Sequence, residues 1–268
     1  FVGMKAASFE FVRVTALNDV LAAFESHGDE AQIVAGGQSL MPILNMRLAA
    51  PRVLVDINHI AELGGVSLTD GALRIGALTR HRELGASAPV AQHAPLLTLA
   101  VPHIAHPAIR NRGTIGGSLA NNDPAASYPA AVLGLGATIK TNKRSIEADD
   151  FFTGMFDAAL EEGELITAVS FPIPEQAGYK HFPNPASRFP IVGAFVAKTG
   201  DGVRVGITGA APCAYRQTSF EDALSGGLDP EKLKGIEVAS EGMNSDIHAS
   251  AEYRAHLVNV MARRAIGG

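Results

Sequence analysis

Two spacings of apolar residues run along the chain, and together they lay out its elements. A short mixed apolar run at residues 9–15 predicts a strand. Leu17, Val20, Leu21 and Phe24 then recur at helical spacing up to Gly28, where a helix would stop. "AQIVAGG" and "RVLVDI" (residues 52–57) read as short buried strands, so residues 1–57 are expected to form a small βαβ lobe. "GVSLTDGALRIGAL" alternates on both sides of Thr-Asp-Gly and predicts a hairpin. "TRHREL" opens a helix with Thr79 as its N-cap, and "HAPLLTLAVPHIA" reads as a helix kinked or ended near Pro102. An alanine-rich helix from Pro129 and strands near residues 137–141 and 164–174 complete a middle lobe over residues 58–174. The Pro- and Gly-rich "FPIPEQAG" places a boundary near residue 175. Beyond it, "IVGAFVAKTGDGVRVGITGAA" reads as strands joined at "TGDG", and residues 219–268 as mostly helical. Strands and helices mix without strict alternation, so the fold class is α+β, divided as 1–174 and 175–268.

Composition narrows the function classes. With 268 residues, 47 % hydrophobic and 18 % charged, the chain has ample core, and its net charge is −5. Its 22 lysines and arginines are scattered rather than clustered, which argues against nucleic acid or an anionic membrane surface as the main partner. No segment approaches the apolar length of a membrane span, and no signal-peptide pattern opens the chain, so it reads as cytoplasmic. Met4 reads as the natural start, with residues 1–3 as an addition ahead of it. The lone Cys213 reads as a small half-buried residue, because disulfide frameworks, structural zinc and iron–sulfur clusters all need more thiols.

The candidate chemistry lies in two glycine clusters. Gly36-Gly37-Gln38-Ser39 follows a strand, and Gly113-Thr114-Ile115-Gly116-Gly117-Ser118 sits in the long stretch before the alanine-rich helix. Neither is a Rossmann fingerprint, "GLGATI" at residues 134–139 lacks the third glycine, and no P-loop occurs. Each could be a nest, where glycine lets consecutive N–H groups converge on one anion, or a tight turn under close packing. Two such clusters, each flanked by short polar side chains, favour a pyrophosphate held by backbone amides. "RNRG" (residues 110–113) is either a source of charge for a phosphate or a solvated turn. "ANNDP" (residues 120–124) either binds hydroxyls or simply forms a turn. His103 and His106 are three apart, but Pro102 and Pro107 break the helix that would align them on a metal. Asp157, Glu161, Glu162 and Glu164 read as a solvated face, and no catalytic triad is recognisable, so no catalytic or metal residue is assigned.

The clusters, in this order and spacing, resemble the FAD-binding medium subunit of molybdenum hydroxylases, of the carbon monoxide dehydrogenase medium-chain type, related to the flavin domain of xanthine dehydrogenase. The stretches that carry the resemblance are "AGGQSLMPILNMRLAAPRVLVDI", "IRNRGTIGGSLANNDPAASYPA", "GELITAVSFP", "YKHFPNPASRFPIVGAFVAK" and "SAEYRAHLVNVMARRA", nearly the whole chain from Met4. The resemblance implies a two-lobed FAD-binding domain, a small βαβ lobe plus a larger α+β lobe, with a C-terminal lobe of antiparallel strands and helices. It implies FAD between the first two lobes with its ring toward the third. Ala35, Gly36, Gly37, Gln38, Ser39 and Leu40, with Thr114, Ile115, Gly116 and Gly117, would wrap the pyrophosphate, and Asp123 would lie beside the cofactor. The Ile166 backbone would meet the flavin ring, Lys180 would lie near it, and Phe189 would fall in a loop close by. Family members often carry a carboxylate where this chain has Ser127, which would weaken a contact to the adenosine end.

The implied function is electron relay in a heterotrimer, itself expected to pair into a dimer of heterotrimers. A large subunit holds the molybdenum cofactor, a small one two [2Fe–2S] clusters, and the FAD here passes electrons to an external acceptor. One rival is a free-standing flavin oxidoreductase of the vanillyl-alcohol-oxidase-like class, which would need a substrate domain this chain does not display. The other is a non-enzymatic protein that keeps the nests without a working flavin.

Overall fold

The computed structural model describes residues 4–267. The expectation about residues 1–3 lies outside the described residues. Strand β1 (Glu10–Arg13), helix α1 (Leu17–His27), β2 (Ala31–Val34), α2 (Leu40–Asn45) and β3 (Val53–Asp56) form the first lobe. The three strands run parallel in the order β1-β3-β2, and Arg13 and Val34 both stand opposite Asp56 at their carboxyl ends. Helices cover both faces of β3, which is why its Val-Leu-Val run is apolar without alternation. Val53 and Val55 pack with Val20 of α1, while Leu54 packs with Leu44 of α2. Helix α1 ends at Gly28, whose φ of 49° and N–H bond to the Phe24 carbonyl close it as expected.

The middle lobe opens with the hairpin of β4 (Val66–Thr69) and β5 (Ala72–Gly76), where Asp70 and Gly71 both take positive φ, as Thr-Asp-Gly predicts. Helices α3 (His81–Ala86), α4 (Ala88–His93), α5 (Pro95–Ala100), α6 (Pro107–Arg110), α7 (Ile115–Asn121) and α8 (Ser127–Leu135) follow. Then come β6 (Thr138–Thr141), β7 (Ser145–Glu147), α9 (Ala148–Phe151), a small hairpin of β8 (Phe152–Gly154) and β9 (Asp157–Ala158), and β10 (Ile166–Pro172). The sheet is antiparallel in the order β4-β5-β10-β6-β7. One local expectation is corrected. Arg80, not Thr79, is the N-cap of α3, because the Thr79 hydroxyl turns away to donate to the Gly65 carbonyl. The helix expected over "HAPLLTLAVPHIA" is α5, with Pro95 at its first position, and it ends at Ala100 in a 3-10 turn over Val101–His103 that contains Pro102.

Strands β11 (Gln176–Pro183), β12 (Pro190–Thr199), β13 (Gly202–Thr208) and β14 (Tyr215–Arg216) form the last sheet, with α10 (Thr218–Leu224) and α11 (Ala251–Gly267) behind it. One face shares the middle lobe's core: Tyr179, Phe195 and Ala197 cluster with the buried residues of α8. The other face packs Val196, Val205 and Ile207 against Val258 and Met261 of α11. Residues 219–268 are less helical than expected. Apart from a 3-10 turn at Pro230–Leu233, residues 234–250 carry no helix, and Gly235 and Gly242 turn the chain there at positive φ.

The acidic run is also not uniformly solvated. Asp157, Glu161 and Glu162 are exposed, but Glu164 is buried. Its carboxylate accepts from the Thr141 hydroxyl at 2.7 Å, the Arg144 guanidinium at 3.1 Å and the Glu161 N–H at 2.9 Å. Burial alone would raise its pKa, but these donors and the Arg144 charge outweigh it and hold the group at about 2, against an ordinary 4.5. A depressed pKa stabilises the fold above the ordinary value, and that stability drains away as pH falls toward the depressed one. Glu164→Gln is therefore expected to be less stable than the parent at neutral pH in urea unfolding. The gap should close as pH falls from 4.5 toward 2, whereas a gap constant with pH would contradict the assignment. This ion pair pins the turn that delivers Ile166 to the start of β10.

Candidate functional site

The Ala35–Ser39 loop leaves the carboxyl end of β2 and enters α2, the edge of a parallel sheet where ligands are received. Gly37 has φ of 70°, a conformation that costs other residues energy. Gly36 is needed for a different reason. A Cβ there would lie 2.4 Å from the Arg112 carbonyl oxygen and 2.9 Å from the Gly113 Cα. The two glycine clusters thus meet backbone to backbone, and the joint between the first two lobes runs through Gly36.

The clusters differ in what their N–H groups do. Among the described residues, the N–H groups of Gly36, Gly37, Gln38, Ser39 and Leu40 donate to no protein acceptor. The loop is closed on itself instead by the Gln38 side-chain amide, 3.1 Å from the Gly36 carbonyl, and by the Met41 N–H on the Gly37 carbonyl. Five successive unpaired donors need water or an anion. In the second cluster three successive donors are taken. Ile115 N–H bonds to Thr79 O, Gly116 N–H to Ala77 O, and Gly117 N–H to the hydroxyl of Thr114, the N-cap of α7. This cluster is a capped joint in which Thr114 N–H alone, among residues 114–117, donates to no protein acceptor. A Cβ on Gly116 would fall 2.6 Å from that of Ala77, so glycine is there for packing.

A polar network lies under the first loop, and sequence reasoning missed it. Asn58, just past β3, donates to the Ala35 carbonyl at 2.8 Å and to Asp56, and Asp56 also pairs with Arg13 at 3.5 Å. Arg80, from the middle lobe, donates to Asn58 Oδ1 and to the Arg112 carbonyl. The available signal was position: polar residues directly after a buried parallel strand, at its carboxyl end. His81 is buried beneath Gly113 and packs against Tyr128 with the two rings tilted 46° apart. Burial first, then Arg110 and Arg80, pull its pKa down to about 4, so it is neutral at pH 7.

Other candidates scatter. Ile166 is near the second cluster, since the carbonyl of its neighbour Thr167 takes the Ala77 N–H and the Ala77 carbonyl takes that of Gly116. Asp123 caps its own turn, accepting from Ala125 N–H, and Asn122 is buried with its amide donating to Gly154 and Asp157 carbonyls. Arg110 tethers the carbonyls of Ile104 and Ala105 at 2.9 Å, while Asn111 and Arg112 form an exposed turn. Lys180 is exposed and lines a depression with Arg263, Arg264 and Gly267 of α11; its neighbours Tyr179 and His181 point to the opposite face of β11 and pack on His103. The structure therefore does not bring Lys180 to the loops. Ser127, only 5 % exposed, packs beside Tyr179. Phe189 is exposed and Cys213 half-buried; His106 does not join His103 and His181.

Comparison with known proteins bears on this geometry. The model of the FAD binding domain in molybdopterin dehydrogenase matches residues 7–174. The chain is 36 % identical to the nicotine 6-hydroxylase medium subunit of Paenarthrobacter nicotinovorans, over 98 % of each chain. It is 35 % identical to the 6-hydroxypseudooxynicotine dehydrogenase complex subunit alpha of the same organism, over 98 % of this chain and 95 % of that one. Among solved structures, reconstituted CO dehydrogenase from Oligotropha carboxidovorans superposes with a TM-score of 0.91 at 32 % identity, covering 98 % of this chain and 97 % of that one.

Proposed function

This chain belongs to the family of FAD-binding domains of molybdopterin dehydrogenases, as a FAD-binding subunit of an oxidoreductase complex, and from that premise we propose that it relays electrons from a partner's [2Fe–2S] clusters to an external acceptor. The observation that carries the reading is the run of unpaired N–H groups from Gly36 to Leu40 at a parallel-sheet edge. Those groups would hold the cofactor's pyrophosphate, with the Ala35 carbonyl fixed from below and the Thr114–Gly117 joint as the facing wall. Bound FAD supplies redox chemistry in one- and two-electron steps. Ile166, pinned through Glu164, would present backbone to the ring, and Asp123 would lie alongside. Lys180 would approach from the face of β11 that borders α11.

The FAD-binding unit would be residues 1–174, with 175–268 as an antiparallel domain behind α8. One cysteine cannot ligate a cluster, so iron–sulfur and molybdenum centres fall to a small and a large partner subunit, in a dimer of such heterotrimers. Relatives named for different compounds share this chain's design, which fits a subunit that does not choose the substrate. Among the described residues no helix is long and apolar enough to cross a membrane. The test is stopped-flow absorbance of the FAD-reconstituted chain. Its flavin bands are expected to bleach when a reduced [2Fe–2S] protein is added and to stay unchanged with purines, aldehydes or carbon monoxide alone. Bleaching by such a compound without a partner would overturn the relay in favour of a free-standing oxidoreductase.

A further inference from the structure

We infer that Arg80 is a positioning residue for the cofactor loop, clamping the Asn58 amide that holds Ala35 to the Arg112–Gly113 segment on which Gly36 rests. The inference deepens the reading that Gly36–Leu40 takes a pyrophosphate, and it rests on that reading.

Three features of the geometry carry it. Arg80 has a fixed base: as N-cap of α3, its N–H is held by Glu83 Oε2 at 2.9 Å. Its guanidinium reaches out of the middle lobe to two acceptors, Asn58 Oδ1 in the first lobe and the Arg112 carbonyl in its own. Each acceptor controls one side of the Gly36 joint. Asn58, with its oxygen held by Arg80, must point its amide nitrogen at the Ala35 carbonyl, which sets the peptide plane that begins the N–H run. The Arg112 carbonyl is the atom a Cβ on Gly36 would strike. Removing the guanidinium leaves the Asn58 amide held from the Asp56 side alone and the Arg112 carbonyl without its donor. The loop then keeps its sequence but loses its preset fan of donors, and binding must bear the cost of ordering it. Charge points the same way. Burial and the neighbouring Arg112 pull Arg80's pKa below its ordinary value, and an anion in the loop would relieve that repulsion.

The test is titration of the flavin-free full chain with FAD, and separately with ADP, which carries the pyrophosphate without the flavin. Arg80→Gln is expected to weaken both ligands alike, about tenfold to hundredfold, as loss of charged hydrogen bonds would. Arg80→Lys should recover little, because an ammonium cannot fork to both acceptors. Asn58→Ala should weaken binding too, and the double variant should be no weaker than the worse single one, since both act through Ala35. Leu257→Ala, in the α11 core, supplies a destabilised control expected to keep its FAD affinity at a comparable drop in melting temperature. Full FAD affinity in Arg80→Gln, additive losses with Asn58→Ala, or an equal loss in Leu257→Ala would each overturn the inference. If the parent chain itself takes neither FAD nor ADP, the reading of the site fails, and this inference with it.

Discussion

Gly36→Val is expected to purify without flavin, its affinity for FAD lowered by at least about a hundredfold. The reason is the identity of the neighbours as much as the distance. A Cβ at residue 36 would sit 2.4 Å from the Arg112 carbonyl oxygen and 2.9 Å from the Gly113 Cα, all main-chain atoms that cannot rotate aside. The first loop and the second cluster must separate, and the N–H run moves with the loop. The core of the first lobe lies behind, in Val53, Val55 and Val20, so the flavin-free variant should still melt cooperatively. Gly37 makes the contrast. There a Cβ meets only the Met41 Cγ at 3.1 Å and the Val34 Cγ2 at 3.6 Å, and its cost is the φ of 70°, about 1 to 2 kcal/mol. Gly37→Ala should accordingly retain measurable FAD. The check is the flavin-to-protein absorbance ratio beside a thermal melt, and full flavin content in Gly36→Val would remove the joint from the site.

Gly116→Val should fail differently, as a fold before it fails as a binder. Its Cβ would lie 2.6 Å from the Ala77 Cβ and 2.9 Å from the Ala77 oxygen, the same oxygen that accepts the Gly116 N–H. Overpacking of this kind costs about 3 kcal/mol, and pushing α7 off Ala77 also strains the bond from Ala77 N–H to Thr167 in β10. The midpoint of urea unfolding should fall for the flavin-free chain. Ala77→Gly added to Gly116→Ala should recover stability, because it removes the atom nearest the new methyl. A Gly116→Val chain as stable as the parent but unable to take FAD would mean that residue 116 touches the cofactor after all.

These two glycines show what the sequence could and could not say. "AGGQS" and "TIGGS" have nearly the same composition, and composition alone made them equivalent nests. What separates them is where their N–H groups go, and that depends on Thr79 and Ala77, residues brought beside α7 only by the fold. Local signals were legible wherever physics is local: the Thr-Asp-Gly hairpin, the stop at Gly28, the apolar run of β3. Glu164 was misread for the opposite reason, since its partner Arg144 lies across a turn that no spacing rule connects to it. Residues 234–250 lie in the stretch expected to be mostly helical, but their glycines and lack of apolar period suit the irregular path they take. Arg80 and Asn58 carry no motif, and only the meeting of two lobes gives them a task. Lys180 was matched from the stretch around it, while strand alternation puts its neighbours, not Lys180 itself, on the face toward the middle lobe.

Hydrogen–deuterium exchange of the flavin-free chain, with and without saturating FAD, reads the backbone donors themselves. The amides of Gly36 to Leu40 should exchange quickly alone and become strongly protected with FAD, while those of Ile115 to Gly117, already bonded to protein, should be slow in both states. Unchanged exchange at Gly36 to Leu40 under saturating FAD would contradict the cofactor's being held by this loop.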